Sequence, residues 1–387
     1  MAYDADRALD HSVIYVSADR GRTWTIGHET GESVDPFCAF GRDGTLVFLH
    51  LARETGQMEL FRSVDGGHAW SRPDVAPYLD RPYLTMDPRG RLFINAHEAP
   101  ASDPRTRVAT LLTSDNGKRF AAAQPDVNRP TGVTPGNGVL LRDGTFVSVF
   151  ASVRPAASRV GSALGLIGIT ASRDAGQHLD AAVPIAEWYG ELGSMSLSVM
   201  PQLAIDQTQG PWTGRLYAVW PDTRSGRAEI YVSWSGDAGR TWSPVVKVSD
   251  DVPSDQRRDH LQPAITVNNR GIVGVSWYDR RDTTDNLGWR ARFAASFDGG
   301  RSFESSVAVA DHSYDPQKTT RQTVNEVLDK VPRNGGTPTR RPRWNFAFTG
   351  GDTAGISADG TGAFHVFWLD NRTGVQQVWT STIVVAR

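Results

Sequence analysis

Short alternations of apolar and polar residues, each about the length of one β-strand, fill this chain from end to end. A representative stretch is Gln262-Pro-Ala-Ile-Thr-Val267, a turn at Asn268-Asn-Arg-Gly271, Ile272-Val-Gly-Val-Ser-Trp277, a second turn at Tyr278-Asp-Arg-Arg281, and Trp289-Arg-Ala-Arg-Phe-Ala-Ala295. Period-two alternation broken by Gly, Asn and Asp is what half-buried antiparallel strands require, because successive side chains point to opposite faces. Full units start near Asp35, Asp80, Thr134, Ser198 and His260. The pattern predicts an all-β chain of repeated four-stranded sheets.

One turn recurs six times, each time just after a third strand. It reads Ser17-x-Asp19-x-Gly21-x-Thr23-Trp24, Ser63-x-Asp65-x-Gly67-x-Ala69-Trp70, Thr113-x-Asp115-x-Gly117-x-Arg119-Phe120, Ser172-x-Asp174-x-Gly176-x-His178-Leu179, Ser235-x-Asp237-x-Gly239-x-Thr241-Trp242 and Ser296-x-Asp298-x-Gly300-x-Ser302-Phe303. The aspartates step by 46, 50, 59, 63 and 61 residues, a repeat period that suits one sheet per unit. Each carboxylate can accept backbone N–H groups just beyond it, and the glycine supplies a positive φ. The closing aromatic starts the next strand and packs between sheets.

These turns resemble the Asp-box, or BNR, repeat of the sialidase-like β-propellers, and the resemblance covers nearly the whole chain. It implies a single domain over 1–387, a six-bladed propeller of four-stranded antiparallel sheets. The first box follows only one strand, His11–Val16, while the last segment, from Asp352 to Val385, supplies three strands and no box. Joining the two ends completes one blade and removes open edges. Seven blades, the first truncated, are the alternative.

A second motif, Trp-x-Asp-x-Arg, appears as Trp220-Pro-Asp222-Thr-Arg224, Trp277-Tyr-Asp279-Arg-Arg281 and Trp368-Leu-Asp370-Asn-Arg372. It falls between second and third strands, so it marks the end of the blade opposite the Asp boxes. Ligand pockets of propellers usually sit at the central channel on this face. Two readings of the motif stand. In one, Asp closes the turn and Arg pairs with it or with the next blade. In the other, Arg224, Arg281 and Arg372 ring a pocket and bind an anionic group, for which a planar guanidinium is suited.

A chemical site is built once and a scaffold feature in every blade, so candidate chemistry lies where units differ. One unit carries His97-Glu98 in place of the motif, an imidazole beside a carboxyl group, as acid-base work needs. Asp259 and His260 end a charged loop that enters a first strand, and Asp35, Asp80 and Arg81 stand at equivalent entries. Glu187-Trp-Tyr189-Gly-Glu191 places a tyrosine near two carboxylates. Residues 311–351 form an insertion read as a lid, with a short helix from Thr319 to Val331 and with His312, Tyr314 and Arg343 as contributors.

Composition narrows the partners. A net charge of −2 gives no basic stripe for nucleic acid, and apolar runs are strand-sized rather than membrane-spanning. Scattered histidines and one cysteine give no metal spacing and no cofactor signature. Cys38, in Pro36-Phe-Cys-Ala-Phe40, is expected to be buried. The first ten residues hold no signal-like apolar stretch, so the chain is cytosolic or lost its leader before this numbering begins. The resemblance favours a secreted or periplasmic monomer.

The resemblance implies a carbohydrate-active enzyme, a glycoside hydrolase or lyase on an anionic glycan; a non-catalytic glycan- or protein-binding propeller is the alternative. True sialidases carry an Arg-x-Pro element upstream of the first box. Here only 16 residues precede Ser17 and none forms it, so that family's catalytic residues are not carried over.

Overall fold

The computed structural model describes residues 2–4, 9–71, 73–98, 108–114, 120–123, 133–153, 163–189, 200–252, 258–283, 286, 288–315, 354–373 and 377–386. Among these there are 25 strands and no helix. The helix expected at 319–331 and the residue Arg343 lie outside them.

The strands form six antiparallel blades. The first is the second half of β3 (Thr25–Phe40) with β4 (Leu46–Ala52), β5 (Gln57–Ser63) and β6 (Asp74–Pro77). The second is β7 (Asp80–Met86), β8 (Leu92–Glu98), β9 (Val108–Ser114) and β10 (Phe120–Ala123). The third comprises β11 (Val133–Leu140), β12 (Phe146–Val153), β13 (Ala163–Ser172) and β14 (Val183–Tyr189). The fourth comprises β15 (Gln202–Ile205), β16 (Leu216–Asp222), β17 (Glu229–Ser235) and β18 (Val246–Lys247). In the fifth are β19 (His260–Val267), β20 (Val273–Asp279), β21 (Arg290–Ser296) and β22 (Val307–Ala308). The sixth has β23 (Gly355–Ala358), β24 (Phe364–Asp370) and β25 (Gln377–Ile383).

First strands touch in succession, β3 to β7, β7 to β11, β11 to β15, β15 to β19 and β19 to β23, which makes them the wall of the central channel. The hydrophobic core is divided among the seams between blades. Val47, Leu49, Leu51 and Met58 meet Leu84, Leu92 and Ile94; Val147 and Ile169 meet Leu216 and Trp220; Ala291 and Phe293 meet Phe364 and Val366. Phe93 and Phe146 stack at 4.6 Å in the seam of the second and third blades. Such layers exclude water from both faces of a sheet that could not bury itself alone.

Five of the six recurrent turns are described and share one geometry. The serine hydroxyl accepts the glycine N–H at 2.7–2.9 Å and donates to Asp Oδ1 at 2.7–2.9 Å, as at Ser63, Asp65 and Gly67. Oδ1 also accepts backbone N–H groups three and four residues on, for example those of Arg22 and Thr23. Glycine is obligatory at Gly176, where φ is +87° and a Cβ would lie 1.9 Å from Thr113. The tryptophan adds a bond that its place in the motif does not announce: the indoles of Trp24, Trp70 and Trp242 donate to the carbonyls of Gly21, Gly67 and Gly239.

At the ends of the chain, β2 (Leu9–Val16) is hydrogen-bonded to β1 (Ala2–Asp4) and to the first half of β3, which then bends into the first blade. This hairpin meets the sixth blade through Trp24 on Phe367, and β1 lies beside β25. Cys38 is exposed rather than buried. A bulge between Val34 and Phe37 turns Val34, Phe37 and Ala39 toward the core, and alternation then sends Cys38 and Phe40 outward.

Candidate active site

Strand register puts the Trp-x-Asp-x-Arg turns and the starts of the first strands at the same end of each blade, because His260 faces Asp279 and Asp80 faces His97. The recurrent Asp turns lie at the other end, where Ser296 faces Val273. At the mouth, four first strands carry a bulge just inside the channel. In three of them the bulge residue before proline is non-glycine with a left-handed backbone: Asp35 (φ 52°), Arg81 (φ 55°) and Gln262 (φ 51°). Such conformers cost of order 1–3 kcal/mol each and gather at functional sites. The Arg81 N–H donates to Asp35 Oδ2 at 3.3 Å, joining the first two blades.

Just below this rim two contacts bridge blades that are not neighbours. The Tyr83 hydroxyl reaches Met200 Sδ at 3.4 Å, skipping the third blade, and the Gln202 amide donates to the Ala354 carbonyl at 3.3 Å, skipping the fifth. Tyr83 also packs on Phe37.

The three Trp-x-Asp-x-Arg motifs are clamps. Asp222 takes Nε and Nη2 of Arg224 at 3.0 and 2.7 Å and the Trp220 indole at 3.3 Å. Asp279 takes Arg281 at 2.9 and 2.8 Å and Trp277 at 2.9 Å; Asp370 takes Arg372 at 2.9 and 2.5 Å and Trp368 at 3.4 Å. Each guanidinium also reaches the edge of the preceding blade, at the Glu187 carbonyl, Asp250 or Asp311. The geometry is that of the scaffold reading: the fork meant for a ligand anion is filled by the motif's own aspartate.

The second blade breaks this pattern. Register aligns His97 with Tyr278 and hence Glu98 with Asp279, while Ala96 stands for the tryptophan and Pro100 for the arginine. Glu98 is thus a carboxyl group at the mouth without the two side chains that fix its counterparts. It is half-buried and accepts the Thr110 hydroxyl at 2.8 Å; His97 beside it is buried. The sequence places Asp35, Asp80, Arg81, His97 and Glu98 in scattered positions, and the fold gathers them on the mouth of the first two blades.

Asp259 and His260 have a different surrounding. Both are fully buried. Asp259 accepts the Ala228 N–H and the Asn286 amide at 3.0 and 2.7 Å. His260 Nε2 lies 2.9 Å from Asp251 and 3.4 Å from Glu229, and Nδ1 lies 3.1 Å from Asp279. Burial alone would pull its pKa down, but the hydrogen bonds and charges of Asp251 and Asp279 outweigh that and raise it to about 9. These neighbours favour the protonated ring, which is fully buried. Ligand atoms of Glu229, Asp251 and His260 converge within 4.8 Å, a spacing fit for a metal. Arg227 also grips Asp251 and Glu229, and Lys247 reaches Glu229. Sequence reading missed Arg227, Glu229 and Asp251; the opposite charges of Arg227 and Glu229 two residues apart at the start of β17 are the signal that was present.

Tyr189 donates to Glu187 at 3.0 Å beneath Arg224. That bond, with some burial, raises the phenol's pKa, which opposes activation as a nucleophile. Glu191 lies outside the described residues. In the insertion, Tyr314 is buried and stacks at 3.8 Å on Trp289, while His312 is exposed beside Asp311. Among the described residues no helix is long and apolar enough to cross a membrane.

No protein-family model and no curated protein sequence matches this chain. Solved structures do. The α-L-arabinofuranosidase of Fusarium graminearum in complex with an iminosugar inhibitor superposes with a TM-score of 0.52 at 12% identity, covering 97% of both chains. The α-L-arabinanase of Penicillium chrysogenum complexed with arabinobiose gives 0.51 at 13% identity over 97% of this chain and 98% of that one. A Hadza microbial sialidase gives 0.47 at 18% identity, and the match spans 72% of this chain but only 59% of the sialidase. At these identities the likeness is one of fold, a β-propeller.

Proposed function

We propose that this protein is a carbohydrate-active enzyme that hydrolyses a glycosidic bond at the channel mouth of its first two blades. One observation carries the reading. In the second blade Glu98 takes the register position of the clamped aspartate, with Ala96 and Pro100 at the tryptophan and arginine positions of the motif, in the blade that the Asp35–Arg81 bond joins to the first. Glu98 donates a proton to the leaving glycosidic oxygen. Asp35 or Asp80 takes a proton from the attacking water, so that one bond is cleaved as one water is added. Arg81 pairs with an acidic group on the sugar, which makes an anionic glycan the preferred substrate. The fold shared with an arabinofuranosidase and an arabinanase supports glycan chemistry without identifying the sugar. A polymeric glycan substrate also fits an exported protein.

The test is a panel of neutral and acidic polysaccharides with detection of released reducing ends. Glu98→Gln and Asp35→Asn should lower turnover by about 10²–10⁴-fold with binding retained. A second reading, a propeller that holds a glycan or protein partner without cleaving it, is favoured by the ion-paired arginines that stiffen the rest of the rim. Binding without release of sugar from any panel member would select it and discard the first.

A further inference from the structure

The seam between the N-terminal hairpin and the first blade is unlike the aliphatic and aromatic seams described above. On one face of β4 and β5 stand Phe48, His50, Glu59 and Phe61, with His50 directly opposite Glu59 and Phe48 opposite Phe61. The ring of His28, from the hairpin half of β3, lies over this face at 4.9 Å from Phe61 and 6.1 Å from Trp70. His50 is 2% exposed; its Nε2 lies 3.0 Å from Glu59, and its Nδ1 is buried with no hydrogen-bond partner among the described residues. Val16 and Gly27 close on Gly67 below. The hairpin reaches the sixth blade through Trp24, so it is the wedge between the two ends of the ring.

We propose that this histidine seam is an acid-sensitive closure: protonation of His28 and His50 loosens the hairpin from the first blade and opens the ring where its ends meet. Two imidazolium ions, His50 buried and His28 half-buried over the same aromatic face, share a single carboxylate, Glu59. The other charged groups of these elements lie elsewhere. His68 and Asp65 sit in the exposed turn, Arg62 faces Asp74 on the opposite side of β5, and His11 pairs with Glu29 along the hairpin. Burial lowers both pKa values, and for His50 the hydrogen bond and charge of Glu59 only partly offset it. A base depressed in this way contributes stability above its unfolded value of 6.5, lost as the pH falls through and below that value.

Hydrogen exchange of the full chain between pH 7.5 and 5, corrected for intrinsic rates, tests this. Amides of residues 9–32 should lose protection by about tenfold for each pKa unit of combined depression, while those of β16 and β20 stay protected. His28→Phe with His50→Gln, which keeps the ring stack and a donor for Glu59, should remove the pH dependence; His68→Gln should leave it. If the double variant is less stable at every pH, the readout remains the slope of hairpin protection against pH. An unchanged slope in the double variant, or no loss of protection in the unmodified protein, overturns the proposal.

Discussion

The fourth, fifth and sixth blades and the first, second and third share strand order and register but are finished differently at the mouth. The later three end their second strands in a tryptophan-aspartate-arginine clamp whose charges cancel within two residues and whose arginine ties the blade to its predecessor. The earlier three have Ala52, Glu98 and Ala151 where the clamped aspartate would be. The clamp fixes geometry by using up the chemistry of its own side chains. Where it is absent, Asp35, Asp80, Arg81 and Glu98 stand at the mouth, and the backbone is left-handed at Asp35 and Arg81. On the function proposed above, one half of the ring holds shape and the other meets the ligand.

Removing the keystone of a clamp should show the largest effect. Asp279→Ala removes a partner from Arg281, Trp277 and His260 at once and leaves Arg281 with Asp250 and His260 with Asp251 and Glu229. Losing one member of such a buried pair costs about 3–5 kcal/mol. Glu98→Gln, at the same register position in the second blade, keeps an acceptor for Thr110 and should cost under about 1.5 kcal/mol. Urea unfolding of both variants measures the difference; equal losses would mean that the two halves of the mouth are built alike.

The His260 network should give a smaller effect, and only in alkali. Its folded pKa is raised to about 9 from 6.5, so its contribution is complete below about 6.5 and is lost as the pH rises through about 9. A shift of that size corresponds to about 3 kcal/mol at most between the two limits. Melting temperatures of the unmodified protein should therefore fall more steeply between pH 7 and 10 than those of His260→Gln. Parallel curves would show that the ring is held without its proton. The opposite sign of the pH response expected at His28 and His50 separates the two sites: one seam weakens in acid, the other in base.

Much of this arrangement is legible in the sequence, for identifiable reasons. Six spaced Ser/Thr-x-Asp-x-Gly turns name the blades because each residue type has one local task, and local tasks survive without tertiary information. The face assignment follows from strand alternation alone. What the chain does not display is which charges end up paired. Asp259 and His260 read as candidate acid-base groups because adjacency to a channel strand is visible, whereas their burial depends on Asp251, Asp279 and Asn286, up to 27 residues away. The arginines of the motif read equally well as ligands or as clamps until the torsions that fold each guanidinium back on its own aspartate are known. Cys38 failed for a simpler reason: a two-residue bulge upstream shifts the alternation by one.

The smallest effect concerns the recurrent turns, and it sharpens the contrast from the scaffold side. In the first, fifth and sixth copies a hydroxyl closes the turn on Asp Oδ2: Thr23 and Ser302 at 2.6 Å and Thr241 at 2.7 Å. The Thr23 hydroxyl and N–H hold Asp19 down at a pKa of about 2. In the second copy that position is Ala69, whose N–H still reaches Asp65 Oδ1 at 2.9 Å, but which offers no donor to Oδ2. Threonine already occupies the equivalent backbone in two copies, so Ala69→Thr introduces no strain and adds one hydrogen bond to a charged acceptor at an exposed site. Ala69→Thr should raise stability slightly, seen as a higher urea midpoint at unchanged slope. It should leave turnover at the mouth unaltered, because the turn lies at the far end of the blade. A gain in stability accompanied by altered turnover would show that the two ends of the first blade are mechanically coupled, and the division between a shape-holding half and a ligand-meeting half would then have to be redrawn through that blade.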